Sequence, residues 1–201
     1  MVGQGVLREC RLDPNVEAVL ALGRTSTGTR NSKLREIIRR DLSNYADLAS
    51  AFSGFDACFF CLGVSSSGMK EPDYERITSQ MTFVYVSGAG TDNSERGRIM
   101  WARVKGRTEN DLLKLPFAAP YMFRPGIIQP LYGVKSKTRM VRIFYTLAKP
   151  FLPPFRWAFP DQLLTTEQIG RAMLAVAARG FPRPVLETRD IRAAAATSQT
   201  R

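Results

Sequence analysis

The 201-residue chain carries 29 Lys and Arg against 18 Asp and Glu, and its formal net charge of +11 favours anionic partners. It contains no histidine, which excludes Ser-His-Asp and Cys-His nucleophilic centres, histidine-bound zinc and the zinc deaminase centre. Acid–base chemistry must therefore come from Tyr, Lys, Asp, Glu or Cys, and no metal site is predicted.

Apolar runs alternate with helical patterns along the chain, which predicts βαβ units and a parallel sheet. The predicted strands are residues 16–22, 34–38, 57–62, 82–87 and 184–187. The predicted helices are residues 3–11, 43–52, 71–80, 96–113, 138–147 and 165–179. Thr165 and Gln168 form a capping-box pattern for the last helix, and Gly180 closes it.

The domain organisation follows from these elements. We expect one domain over residues 1–192 with a small substrate-side segment at 127–164, and a frayed, disordered tail over residues 193–201, which begins at Ala193. Residues 149–160 form an irregular stretch rich in proline and aromatic residues.

The cysteine count and the lack of targeting signals are used to predict the cellular compartment. An odd count of three, without a secretory signal, argues against a disulfide framework. Cys58 and Cys61 lie in one apolar strand, where a spacing of three puts their sulfurs on opposite faces, so we predict two buried residues rather than a redox pair. No run approaches the roughly 20 apolar residues that cross a bilayer, and a cytoplasmic location is expected.

Six sequence motifs resemble one known family. They are, in chain order, VGQGVLREC, LALGRT, DACFFCLGVSSSG, TFVYVSGAGT, WARVKGRTEN and YMFRPG. Over residues 1–187 the chain resembles the atypical short-chain dehydrogenase/reductases, and is most similar to the NAD(P)-binding group of the Tat-interacting protein and its epimerase-like bacterial relatives. The resemblance implies a Rossmann-like, doubly wound α/β fold with a mostly parallel sheet, and a dinucleotide cofactor.

The resemblance also implies a set of cofactor-binding positions. Gly3 matches the last glycine of the family's GxxGxxG phosphate loop, while Gly5 is more simply explained as a helix residue. Arg24 matches the position that pairs with a 2′-phosphate, which implies NADP rather than NAD; the alternative is a solvated loop arginine. The remaining implied positions are Asp41, Leu62, Gly63, Lys105, Arg124, Pro125 and Gly126.

The implied catalytic residues are Ser87, on the substrate carbonyl, and Lys105, on the nicotinamide ribose. The family's proton donor is a tyrosine four residues before that lysine, where this chain has Trp101. An indole N–H donates a hydrogen bond but does not exchange a proton usefully. Tyr85 and Tyr74 are the nearest alternative donors, and both are more simply explained as packing residues.

The chain departs from the family in two further places. The first strand and the first two phosphate-loop glycines have no counterpart, and the interval of residues 63–81 leaves room for only a short crossover helix. In the strand order 3-2-1-4-5-6 the first strand is central. Strands 16–22 and 57–62 must therefore either pair directly or leave an open sheet edge, and the fold is expected to be incomplete and less stable than that of full-length relatives.

These features leave three functions open. The first is an NAD(P)-binding oxidoreductase or epimerase-like protein whose small-molecule substrate the sequence does not name. The second is a non-catalytic nucleotide-sensing or partner-binding module, which Trp101 favours. The third is a peripheral binder of anionic membranes through the basic and aromatic residues 138–160, a segment that also fits a substrate-side lid. No motif supports a nucleic-acid partner.

Overall fold

The computed structural model describes residues 1–40, 46–61, 82–132 and 162–197, and these contain eight strands. The strands are β1 (Val19–Gly23), β2 (Leu34–Ile38), β3 (Ala57–Phe60), β4 (Thr82–Val86), β5 (Ala119–Arg124), β6 (Ile127–Gln129), β7 (Leu163–Thr165) and β8 (Val185–Glu187). The helices are α1 (Val2–Leu12), α2 (Ala49–Phe52), α3 (Met100–Lys114), α4 (Thr166–Arg179) and α5 (Thr188–Ala196), with a 3-10 turn at Ala46–Leu48.

Every strand pair in the described residues is parallel. The largest sheet has the order β3-β4-β5-β8, and two smaller sheets pair β1 with β2 and β6 with β7. Parallel pairing requires a crossover between successive strands, and α3 and α4 lie on such crossovers. The predicted fold class, a Rossmann-like and incomplete α/β fold with mostly parallel sheets, is confirmed.

The sheet is covered on both faces, as the alternation of side chains along β4 shows. Val84 faces a core formed with α1, α4 and α5, whereas Phe83 and Tyr85 face a second core formed with α3. The rings of Phe83 and Phe117 stack in this second core with centroids 4.3 Å apart. Helices therefore bury both faces of the sheet, as a doubly wound α/β fold requires.

The strands β1 and β3 do not pair with each other. Within the described residues β1 bonds only to β2, and β3 bonds only to β4, so each ends its own sheet. Of the two arrangements that the sequence left open, direct pairing is therefore wrong and open sheet edges are present. Helix α1 contacts both strands and connects the two sheets through its packing.

Helix α1 crosses α4 where both helices have glycine. A Cβ on Gly5 would lie 2.7 Å from the backbone oxygen of Thr166, and one on Gly170 would lie 2.6 Å from Cγ of Glu9. Gly5 is thus a helix residue, as expected, and its lack of a side chain sets how closely the helices approach. The buried Glu9 carboxylate is paired across this crossing with Arg171.

Two of the predicted boundaries that are wrong have a clear physical cause. Helix α3 begins at Met100 rather than residue 96, because the Asp92 carboxylate accepts hydrogen bonds from the backbone N–H groups of Ser94 and Gly97 and holds these residues in a turn. The tail predicted from Ala193 instead completes α5, whose Ala194 and Ala195 are buried. Alanine is the best helix former, and burial of this run gives the helix a packed face.

Other predicted elements are confirmed closely. Thr165 and Gln168 form the capping box, since each side chain accepts a hydrogen bond from the other's backbone N–H, and α4 ends before Gly180. The strand predicted over residues 16–22 begins later, at Val19. The predicted helices over residues 71–80 and 138–147, and the segment 149–160, lie outside the described residues.

The cysteines are free thiols on opposite faces of the sheet. Cys58 packs against the core on the α3 side and Cys61 against the core on the α1 side. Burial raises the pKa of the Cys58 thiol to about 11 and that of Cys61 to about 12, so both are protonated and poorly nucleophilic near neutral pH. Both residues keep partial exposure to solvent, so the prediction of two buried residues holds only in part, whereas their opposite faces agree with the spacing of three.

Gly5→Ala tests the helix crossing. Replacing glycine by alanine inside a helix ordinarily stabilises a protein by up to about 1 kcal/mol. Here the added methyl group meets the Thr166 backbone, and we expect the free energy of unfolding to fall by about 1–3 kcal/mol through overpacking. Urea unfolding followed by circular dichroism measures the change, with Gln4→Ala on the exposed side of the same helix as the control. A Gly5→Ala protein as stable as the wild type would contradict the close approach.

Candidate functional site

The candidate site lies at the carboxyl ends of β4 and β5. Ser87 directly follows β4, Arg124 ends β5, and Lys105 reaches them from α3. In open α/β sheets, ligands bind in the crevice outside the carboxyl ends of the strands. The structure thus brings together Ser87, Lys105 and Arg124, three of the residues predicted from the sequence.

A buried carboxylate, Glu109 of α3, organises this region. Its side chain is fully excluded from solvent and accepts a hydrogen bond from the Ser87 hydroxyl at 2.5 Å. Its other oxygen accepts from the Asn93 amide at 3.0 Å and pairs with the Arg124 guanidinium at 2.5 Å. The carboxylate is therefore compensated by one full charge and by neutral donors, as a buried ion requires.

The Arg124 guanidinium forms hydrogen bonds and ion pairs within this network. Its Nε atom lies 3.1 and 3.2 Å from the two Glu109 oxygens, and Nη1 lies 3.1 Å from Glu187. Another guanidinium nitrogen, Nη2, donates to the Asn93 side chain. The hydrogen bond to Glu109 is the main reason that the Arg124 pKa is raised. The Arg124 guanidinium is thus engaged mainly within the protein rather than offered to a ligand.

The Ser87 hydroxyl is likewise used within the protein. The residue is buried, and its Oγ lies 2.5 Å from Glu109 and 3.2 Å from the Phe123 carbonyl oxygen, both of them acceptors. A serine hydroxyl has one hydrogen to donate. That hydrogen is directed into the α3 interface, so Ser87 does not offer it to a substrate carbonyl in this arrangement.

Lys105 lies beside the backbone of Gly88, which has no side chain. Its Nζ atom donates to the Ser87 carbonyl oxygen, and a Cβ placed on Gly88 would be 3.9 Å from it. Gly88 has φ +144° and Gly90 has φ +82°, which L side chains rarely adopt. Partial burial lowers the Lys105 pKa, and attraction to Glu109 opposes that shift. The ammonium group keeps two further N–H donors.

Trp101 occupies the position of the family's proton donor. It lies one turn before Lys105 on α3, is 46% exposed, and its ring would be 3.7 Å from a Cβ on Gly90. Tyr85 shares the face of Ser87, as expected from strand alternation, but it is buried in the α3 core. Burial is the main cause of its raised pKa, and this fits a packing residue. Tyr74 lies outside the described residues.

The predicted cofactor residues at the other end of the site are only partly described. Gly3 lies in the first turn of α1, where a Cβ would be 3.3 Å from the Cβ of Cys61 at the end of β3. Arg24 follows β1, is exposed, and forms no ion pair with a described residue. Asp41, Leu62 and Gly63 lie outside the described residues, which leaves their predicted roles untested.

The turn after β5 has its own packing constraint. A Cβ on Gly126 would lie 2.7 Å from the Gln162 backbone oxygen, and the Gly126 N–H donates to the Thr188 hydroxyl at 3.0 Å. The glycine therefore lets β7 and α5 approach the turn. Pro125 contributes its carbonyl oxygen, which accepts from the Ala89 N–H at 2.9 Å and joins the two loops of the site.

Sequence reasoning missed Glu109 and Asn93. A signal for Glu109 was present, since Trp101, Lys105 and Glu109 recur at a spacing of four and so share one helical face. Asn93 had no such signal, because its position depends on the turn that Asp92 caps.

In the part of the chain that the structure describes, no group of three Cys, Asp or Glu side chains is placed to hold a metal ion. None of the described helices has the length and apolar character needed to span a membrane.

The comparisons with known proteins establish the fold class. No protein-family model and no curated protein matches the sequence. Among solved structures, a short-chain dehydrogenase/reductase family oxidoreductase from Burkholderia thailandensis is similar over 96% of this chain and 89% of its own, with 13% identity and a TM-score of 0.59. At this identity the likeness shows a Rossmann-like α/β fold.

Two further solved structures agree. A glucuronic acid dehydrogenase from Chromohalobacter salexigens has 12% identity and a TM-score of 0.52, over 92% of this chain and 71% of its own. The enzyme WbmF of Bordetella bronchiseptica, in complex with NAD+, has 12% identity and a TM-score of 0.54, over 98% and 74%. The resemblance drawn from the six motifs is thus supported at the level of the fold.

Glu109→Ala tests the buried network. The substitution leaves the Arg124 side chain, which is 12% exposed, without its main counter-charge. Removing one partner of a buried ion pair costs about 3–5 kcal/mol, and we expect a loss of unfolding free energy in that range. Glu95→Ala is the control, since Glu95 pairs with the exposed Arg107 and should cost about 1 kcal/mol or less. Equal effects in urea unfolding would contradict the role of Glu109.

Proposed function

We propose that this chain binds a nicotinamide dinucleotide at the carboxyl ends of β4 and β5, in a site of the oxidoreductase type. The observation that carries the proposal is the placement of Lys105 beside Gly88. A half-buried ammonium group with two donors to spare faces the backbone of Gly88, which has no side chain to exclude a ligand. The enzymes of similar fold include one whose structure contains NAD+, which is consistent with this site.

The residues fit the proposed ligand chemically. The hydroxyls of a ribose accept hydrogen bonds, and Lys105 supplies N–H donors at a fixed place because the Ser87 carbonyl holds its Nζ. Gly88 and Gly90 leave space that a Cβ would fill, so a flat ring system can approach the backbone. When bound, the nicotinamide would supply hydride chemistry; the protein's part is to bind and orient it.

The same geometry favours binding without turnover. Reduction of a carbonyl requires a proton as well as a hydride, and among the described residues no hydroxyl or indole group at this site is placed to give one. Trp101 has only an indole N–H, the Ser87 hydrogen is directed to Glu109, and Tyr85 is buried in the core. A nucleotide-binding module descended from an oxidoreductase therefore explains Trp101 better than an active enzyme does.

Arg24 supports NADP over NAD as the ligand. Its guanidinium is exposed directly after β1 and is not neutralised by a described carboxylate. A guanidinium binds a phosphate group through charge-assisted, bidentate hydrogen bonds, and a 2′-phosphate is the one group that NADP adds to NAD. The net charge of +11 also favours the more anionic cofactor.

Fluorescence titration of NADPH and NADH against matched variants tests this proposal. We expect Lys105→Met to weaken both cofactors by about tenfold or more, because it removes donors to the shared ribose. Lys114→Met, at the exposed end of the same helix, is the control. We expect Arg24→Ala to weaken NADPH by about tenfold and to leave NADH unchanged, with Arg35→Ala on β2 as the control.

Two results would contradict the proposal. Failure of the wild-type chain to bind either cofactor up to millimolar concentration would exclude a dinucleotide site. Oxidation of bound NADPH by the wild-type chain on addition of 2,3-butanedione, at a rate above that of free NADPH, would show that a proton donor is present and that the site turns over.

A further inference from the structure

A second candidate site lies away from Lys105, on the outer face of α1. A cavity of about 390 Å³ opens between α1, the loop that joins β1 to β2, and Tyr132 after β6. This volume is in the range of small-molecule sites. Its polar walls are formed by Gln4, Arg8, Arg11, Thr27, Thr29 and the Tyr132 ring, and the side chains of Leu7 and Leu12 on α1 form the rest of its lining. None of the described carboxylates lines the cavity.

Arg11 is the residue that lacks a partner here. Its Nε atom is buried and makes no hydrogen bond, and its guanidinium forms no ion pair with a described residue. A buried polar group left unpaired costs about 1–3 kcal/mol, and more when it is charged. The buried Nε is closed to solvent, so an anion in the cavity would instead meet the remaining guanidinium nitrogens of Arg11, whose charge no described carboxylate balances.

Arg8, one turn earlier on α1, is held in place from two sides. Its guanidinium lies 3.6 Å from the centroid of the Tyr132 ring and pairs with Glu9 at 2.5 Å. Tyr132 is itself fixed, because its hydroxyl donates to Glu167 at 2.5 Å. Glu9 is shared with Arg171, so the acidic groups behind the cavity are already compensated and do not neutralise Arg11.

The opposite wall is a loop with a defined conformation. The Glu36 carboxylate accepts from the Thr27 N–H at 2.8 Å and from the Ser26 hydroxyl at 2.9 Å. Gly28 has φ +70°, and the Thr29 N–H donates to the Thr27 hydroxyl oxygen at 3.2 Å. The Thr27 hydroxyl also bonds to the Glu36 carboxylate, so on this wall the Thr29 hydroxyl is the one that can donate to a ligand in the cavity.

We propose that this cavity binds the phosphate monoester of a small organic molecule. Two arginines, the Thr29 hydroxyl and the Gln4 amide provide donors for a phosphate group, and arginine binds phosphate in a bidentate manner. The leucines and the Tyr132 ring provide an apolar wall for the organic part. None of these residues belongs to the proposed dinucleotide site, so the two sites are independent.

Isothermal titration calorimetry with phenyl phosphate, in a phosphate-free buffer, tests the site. We expect phenyl phosphate to bind, inorganic phosphate to bind more weakly, and phenol not to bind. Arg11→Ala is expected to reduce phenyl phosphate affinity by about tenfold or more. Arg30→Ala, an exposed arginine of the same loop outside the cavity, is the control and should leave the affinity unchanged. Thr29→Val, of nearly equal size, provides a second variant should Arg11→Ala unfold.

Competition separates this proposal from the dinucleotide site. Phenyl phosphate should bind equally well with and without saturating NADPH, and Lys105→Met should not affect it. Binding that is unchanged in both Arg11→Ala and Thr29→Val would overturn the proposal, and so would displacement of phenyl phosphate by NADPH. If NADPH fails to bind while phenyl phosphate still depends on Arg11, only the dinucleotide proposal fails.

Discussion

The Glu109 carboxylate is the interaction on which the rest of the site depends. It is fully buried on α3 and contacts Ser87 after β4, Arg124 at the end of β5, and Asn93 in the loop between β4 and α3. A buried charge is stable only while its partners remain in place. The pairing therefore fixes α3 against the ends of two strands, and it also fixes Lys105, which lies one turn earlier on the same helical face.

The network also decides which hydrogen-bond donors the site offers to a ligand. Lys105 is held by the Ser87 backbone carbonyl, which leaves donors for a ligand. The Ser87 side chain is directed into the network, and Trp101, whose indole does not ionise, lies partly exposed beside Gly90. A group able to bind a ligand beside groups unable to give up a proton is the physical basis for proposing binding rather than turnover.

The two halves of the proposed dinucleotide site are connected by helix packing rather than by a continuous sheet. Arg24 directly follows β1 of the β1–β2 pair, whereas Lys105 lies on α3, which packs on the β3-β4-β5-β8 sheet. The strands β1 and β3 do not pair. Helix α1 connects them, positioned by its glycine crossing with α4. Its N-terminal turn lies beside Cys61 at the end of β3, where a phosphate group would be favoured by the helix dipole. Any loosening of the α1–α4 crossing would therefore separate the two halves.

Elements with a local signal were predicted well from the sequence, and features that depend on tertiary contacts were not. The capping box at Thr165 and the apolar strand β4 are encoded by a few adjacent residues. The start of α3 was misplaced because the Asp92 turn competes with helix propensity, and the tail was misjudged because burial of Ala194 and Ala195 is a long-range contact. Glu109 was missed because its partners are distant in sequence.

Amide hydrogen exchange of the wild-type chain, measured by mass spectrometry with and without saturating NADPH, is the most direct test of dinucleotide binding beside Lys105. We expect slower exchange in residues 87–91 and 124–127, where the loops after β4 and β5 meet beside Lys105. Unchanged exchange in both loops at saturating NADPH would contradict the claim that this crevice binds the dinucleotide.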